Sequence, residues 1–403
     1  TVFFSQGSIA TSTAVTLNIG ASGASEMRLS GDLSAPSPGA WVAYTPSVDD
    51  ITIGYFNYPL SATLTSAKFD TGAGNSFVKS LAWSEAGVTA AKDVKLQLSA
   101  AATSGGLVAF CGPRDATAGS CTAGTYFTAP AGSEEIDDAQ IPGRWFQYKA
   151  FLTSDGIGTA ALDNINVTYD TVSFQLTSTG GGSVSAGTAY PVIIKAMDTQ
   201  ATPAAVTGYD ASKTLAFSGA ATIGANAPKI SDDNICGDAD DMSFASAIIT
   251  FASGVADPPG AETNYYLCAY KAEAVTLGAT ASSGDIPTTT SLNVTVNAMA
   301  ASQLVFTQQP SAAGAPGAAL AAQPVVAIRD QYTNLCNVGS DATLTVALAA
   351  VNATDGTTVL SGALTNGSVA ASGGVATFSG LSYNQAETLK LKASSGALTT
   401  DLS

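Results

Sequence analysis

Apolar and small polar residues alternate along much of this chain. Leu292, Val294 and Val296 are separated by Asn293 and Thr295, and a period of two also runs through VKLQLSA at 94–100, ALDNINVTYD at 161–170 and ATLTVALAA at 342–350. Successive side chains of an extended strand point to opposite faces, so this pattern predicts strands with one buried face. Stretches with a 3.6-residue apolar period are few. Clusters such as TSTGGGS, SGAATIGANAP and AASGG separate the strands at the spacing of two-layer sandwiches. The expected fold class is all-β, built from tandem β-sandwich domains.

An internal repeat organises the second half. GTAYPVIIKAMD at 187–198 lines up with GAALAAQPVVAIRD at 317–330, and TLAFSG from Thr214 with TLTVAL from Thr343. The offset is 130 between Gly187 and Gly317 but 112 between Thr276 and Thr388. The first copy therefore carries roughly 20 extra residues, placed most simply between Cys236 and Cys268 as a surface loop. The expected division is an extended segment at 1–30, a β-sandwich at 31–170, and two related domains at 171–299 and 300–403.

The segment SQLVFTQQPSAAGAPGAALAAQPVVAIRDQYTNLC, followed by GVATFSGLSYNQ and LKASSGAL, resembles the bacterial immunoglobulin-like repeats of large exported surface proteins and adhesins. The likeness is clearest over 302–403 and weaker over 171–299. It implies immunoglobulin-like sandwiches without enzymatic residues. The family usually has Gly before the Asn of its YxN motif, where this chain has Thr333, so no turn type is carried over. Residues 59–170, with LSATLTSAKFDTGAGNSFVKSLAWSE, GRWFQYKAFLTSD and LDNINVTYD, are similar to a β-sandwich module common in bacterial surface and filament proteins. That resemblance implies an extracellular accessory role, and some such sandwiches bind sugars.

Composition narrows the chemistry. Only 11% of the 403 residues are charged while 46% are hydrophobic, so the chain folds but offers few ionic groups. A net charge of -16 argues against nucleic acid as a partner, because phosphate binding needs an excess of Lys and Arg. No apolar run is long enough for a membrane span. Histidine is absent, which removes the commonest general base and the commonest metal ligand. The expectation is a protein that is not an enzyme.

Cys111 and Cys121 bracket a turn-rich loop whose ends fall on neighbouring strands, the arrangement a disulfide needs. Cys236 and Cys268 would close a second bridge across the insertion. The alternative is free buried thiols in a reducing compartment. Cys336 is left over, either free or paired with another chain. Asp232, Asp233, Asp238, Asp240 and Asp241 crowd into one stretch, SDDNICGDADD, which reads either as a hard-oxygen cage for Ca²⁺ or as a solvated acidic loop. No other cofactor is expected. Trp41, Trp83, Trp145, Phe146, Tyr148 and Phe151 supply the aromatic mass of the first sandwich; core packing is the default, and any outward set could stack on sugar rings.

In the first repeat TTTSLNVTV supplies a closing strand, whereas the second reads TTDLS where that strand begins, short by roughly half a dozen residues. At the other end Val15, Leu17 and Ile19 share one face of a predicted strand. These features point either to a donor strand that enters the last domain of a neighbouring copy or to a chain that continues beyond Ser403. The expected function is thus an extracellular, cell-surface structural subunit of a pilus-like fibre or layer, a homopolymer assembled by strand complementation. The alternative is a surface adhesin whose first domain binds glycans.

Overall fold

The computed structural model describes residues 60–114, 121–156, 158–281, 286–398 and 402–403, together with the backbone of five strands before Leu60. The chain is all-β and multi-domain. Among the described residues, helix is confined to two short 3-10 turns, Asp138–Gln140 and Ser340–Thr343. The chain divides into two compact units, Thr1–Thr71 with Val78–Tyr169, and Gly72–Phe77 with Asp170–Ser403.

In the first unit Trp145–Thr153 is a central strand. It pairs antiparallel with Val94–Ala101 on one side, from Trp145 opposite Ala101 to Leu152 opposite Val94, and with Ser61–Thr65 and Phe69–Asp70 on the other. Val94, Leu96, Leu98, Phe127, Leu81 and Trp83 form the buried centre. The VKLQLSA alternation falls inside Val94–Ala101, but that strand buries both faces, because Gln97 and Ser99 are buried with the apolar set. Gln97 is accommodated by donating from Nε2 to Thr125 O at 2.8 Å, since a buried amide needs a partner.

The segment at 1–30 contributes two described strands, Ala14–Asn18 and Glu26–Arg28. Ala14–Asn18 pairs antiparallel with Ser47–Ile53, Ala14 opposite Thr52 and Asn18 opposite Ser47, and Ser47–Ile53 also pairs with Leu33–Ala35. Val15 lies opposite Ile51 and Leu17 opposite Val48 within the chain. The physical reason is that an extended segment carries a row of N–H and C=O groups along each edge, and Ser47–Ile53 partners one of those rows within the same chain. Ile19 lies outside the described residues.

The second unit holds the two repeated domains. In the first of them one ladder runs Ser183–Ser185, Leu292–Asn297, Glu273–Ala281, Ala211–Ser218, Ala247–Ala252, and continues through Val255–Ala256 to Tyr190–Asp198, Tyr265–Cys268 and Lys229–Ser231. Phe174, Tyr209 and Phe251 meet in its core with ring centroids 5.0–6.0 Å apart. In the second, Gln303–Gln308, Val325–Arg329 and Val375–Thr377 form one layer, and Ser368–Ala370, Thr345–Asn352 and Leu389–Ser394 the other. Between them lie Leu304, Val326, Ile328, Val346, Phe378 and Leu391.

Candidate functional site: an acidic loop, an aromatic face, a strand edge and a domain junction

Both expected disulfides are formed. Cys111 and Cys121 have Cα atoms 5.3 Å apart, and Cys236 and Cys268 5.7 Å apart. Gln140 braces the first: its Nε2 donates to both sulfurs at 3.2 Å, while its Oε1 accepts the Ala100 N–H. Cys336 is a free thiol at 2% exposure in the core of the last domain. Burial, with Asp330 and Asp341 nearby, pushes its pKa up to about 11, which disfavours the reactive thiolate.

Of the five clustered aspartates, three converge. One carboxylate oxygen each from Asp233, Asp238 and Asp240 lie within 4.8 Å of one another, a spacing that oxygen ligands around a divalent cation also adopt. Asp238 and Asp240 are exposed and share a hydrogen bond; that bond, ahead of desolvation and neighbouring negative charge, raises Asp238 to about 6. Asp233 is held by its own loop, accepting at Oδ1 from Ser231 Oγ and the Ile235 N–H, both at 2.9 Å. Asp241 turns inward to accept the Gly237 N–H at 2.6 Å. Neither Asp232 nor Asp241 belongs to the converging three.

The aromatics split. Trp83 and Phe146 are buried, while Trp145, Tyr148 and Phe151 are half-buried; the side chain of Trp41 lies outside the described residues. The Phe69 ring stacks on Phe146 at 5.1 Å and Tyr148 at 6.3 Å, nearly parallel to both, and Phe146 meets Tyr169 at 6.4 Å. Phe69 is 42% exposed and Tyr169 54%, so the outward set includes two residues that the sequence reading did not single out.

Leu389–Ser394 pairs with Thr345–Asn352 along one edge. Along its other edge Lys392 bridges Leu402, Ser403 N donates to Leu391 O at 2.9 Å, and Leu391 N donates to Ser403 Oγ at 2.7 Å. The corresponding edge of the preceding domain carries five paired positions, from Glu273 opposite Val296 to Leu277 opposite Leu292. Among the described residues no strand extends the pairing to Leu389. A shallow open groove lies in the same domain, lined by Leu348, Ala350, Val359, Leu360 and Leu364.

The two repeated domains meet through the turn after Val325–Arg329. Asp330, fully buried, accepts at Oδ1 from the Tyr332 and Asn334 N–H groups at 2.9 and 2.8 Å, and at Oδ2 from Met299 N and Asn334 Nδ2, both at 2.9 Å. Asn334 then reaches the preceding domain, donating to Tyr270 O at 2.8 Å and accepting the Ala272 N–H at 2.7 Å. Sequence reasoning missed these contacts, although the D-x-Y-x-N pattern that makes them was in view.

No protein-family model and no curated protein matches this chain. Among solved structures it is similar to one described as the apo structure of Bacteroides uniformis beta-glucuronidase 3, at 12% identity and a TM-score of 0.18. That likeness covers 58% of this chain and only 24% of the other, and carries no argument about activity. Among the described residues no helix is long and apolar enough to cross a membrane.

Proposed function

We propose that this chain is an extracellular structural component of a cell-surface fibre or layer in which copies join by β-strand pairing. The observation that supports this most is the outer edge of Leu389–Ser394, where pairing begins at Lys392 and Leu402 and runs in the sense that the strand Leu292–Asn297 takes in the sister domain. An edge with unpaired backbone groups accepts a further strand. The donor is the segment around Ala14–Asn18 of a neighbour. Its Val15, Leu17 and Ile19 alternate with Thr16 and Asn18 just as Leu292, Val294 and Val296 alternate with Asn293 and Thr295. Leaving Ser47–Ile53 for the edge of a neighbour exchanges one antiparallel pairing for another, and a head-to-tail contact without closing rotation propagates into a fibre. Two disulfides support an oxidising, extracellular setting.

The test is a variant in which the segment Leu292–Asn297 is repeated, through a short turn, after Ser403. Such a strand occupies the edge within its own chain. Purified native chain is expected to form polymers visible by negative-stain microscopy, and the fused chain to stay monomeric. Fibres that persist in the fused chain would rule out this edge.

A second reading, glycan adhesion by the first unit, is favoured by the exposed rings of Phe69 and Tyr169. It is separated from the first by glycan-array binding that is lost in Phe69→Ala while polymer formation is unchanged.

A further inference from the structure

We infer that the segment Asp330-Gln331-Tyr332-Thr333-Asn334 is a clamp that fixes the last domain to the one before it, so that residues 171–398 move as one body. The connection at 298–302 is Ala-Met-Ala-Ala-Ser, in which Met299 alone carries a long side chain, and that side chain meets Gln331 of the clamp segment. It is fastened from the domain that follows: Asp330 Oδ2 takes the Met299 N–H, Asp341 Oδ2 takes the Ala301 N–H at 2.7 Å, and the Cys336 thiol points at Met299 O from 3.6 Å.

The clamp has a second contact beyond the Asn334 bridge. The Tyr332 ring packs edge-on against Tyr270 with centroids 5.1 Å apart, and its hydroxyl end lies over Gly187, where a β-carbon would clash with it. Gly187 sits at φ 72°, so both the space and the backbone there suit glycine. Asn334 is 4% exposed, and both ends of its amide are spent on the preceding domain and on Asp330. Tilting the domains apart would strand the Tyr270 carbonyl, the Ala272 N–H and the Asn334 amide together, and buried polar groups resist losing partners.

The repeat shows that these residues are not simply what the sandwich requires. Asp198 occupies the place of Asp330 and is likewise buried, with Ala204 N donating to it at 2.9 Å. At the place of Asn334, however, stands exposed Ala204, bonded through its backbone to Asp198 as Asn334 is to Asp330, and the loop before it, 199–203, is two residues longer than 331–333 and contains no aromatic residue. The aspartate recurs in both domains of this chain, whereas the Tyr and Asn occur only in the second, where they reach the preceding domain. The inference does not depend on strand complementation between copies.

The experiment uses the full chain with spin labels on Ala225→Cys and Ser361→Cys, exposed positions in the two domains, and reads the distance distribution by pulsed electron resonance. The parent is expected to give one narrow peak, retained in Tyr332→Phe. Loss of that peak to a broad distribution is expected in the double variant Tyr332→Ala with Asn334→Ala. Tyr270→Ala, which leaves the loop of the last domain untouched, is expected to do the same and carries the test alone if the double variant does not fold. Exchange of the Ala272 amide is expected to speed up by roughly tenfold or more in the double variant, because its acceptor is gone. A broad distribution in the parent, or a narrow peak that survives every alanine variant, would overturn the clamp.

Discussion

Asn334 and Ala272, from successive domains, are joined by a 2.7 Å hydrogen bond from the Ala272 N–H to Asn334 Oδ1. The same amide donates to Tyr270 O, so it closes two backbone groups of the preceding domain at once. Asn334→Ala leaves both without their partner in a buried place and is expected to lower stability by about 2–3 kcal/mol, read by chemical denaturation. A loss below a few tenths would mean that water replaces the amide freely.

Thr333, between those two contacts, lies at φ 71° in the left-handed region, is exposed, and is β-branched. Glycine adopts that backbone without the clash that a β-branched side chain meets there. Thr333→Gly is expected to raise stability by about 1 kcal/mol, the relief of the left-handed strain exceeding the added freedom of the unfolded chain. A destabilised variant would show that the threonine side chain contributes something the backbone does not reveal.

The acidic loop makes a pH-dependent contribution with a definite sign. Because Asp238 is raised to about 6, the folded state holds its proton more tightly than the unfolded state does. That contribution is present below the ordinary carboxylate range and is lost as pH rises from about 4 through 6. Asp240→Asn removes the neighbouring charge and is expected to bring the Asp238 titration, followed by carbon NMR, down towards ordinary values. An unmoved midpoint would separate the two carboxylates.

The two disulfides close loops of different length, with separations of 32 and 10 residues. On loop entropy, replacing Cys236 and Cys268 by Ala is expected to cost about 1 kcal/mol more than replacing Cys111 and Cys121. Denaturation midpoints of the two variants check the order, and the reverse order would point to the Gln140 brace as the larger contribution.

Much of the fold was readable because a period of two survives in a single sequence. LNVTVNA became Leu292–Asn297, and ALDNINVTYD opens the strand Ala161–Thr177. Cysteine spacing indicated both bridges. Pairing partners were less legible: nothing local in Val15 and Leu17 says that Ser47–Ile53 will take them up. Crowding of five aspartates in sequence did not say which three would converge, since Asp241 was claimed by the Gly237 N–H. The junction was hidden for a related reason. Asn334 and Ala272 are 62 residues apart, and one hydrogen bond across domains leaves no periodic trace.

The most direct test of the fibre reading traps the strand contact itself. Thr16→Cys and Lys390→Cys are made in separate chains, mixed, and oxidised; Lys390 is exposed on the edge strand, and Cys336 is buried out of reach. The expected result is a covalent heterodimer that forms only in the mixture and is absent from either variant alone. A mixture that polymerises yet gives no cross-link, at these positions or at their immediate neighbours, would contradict it.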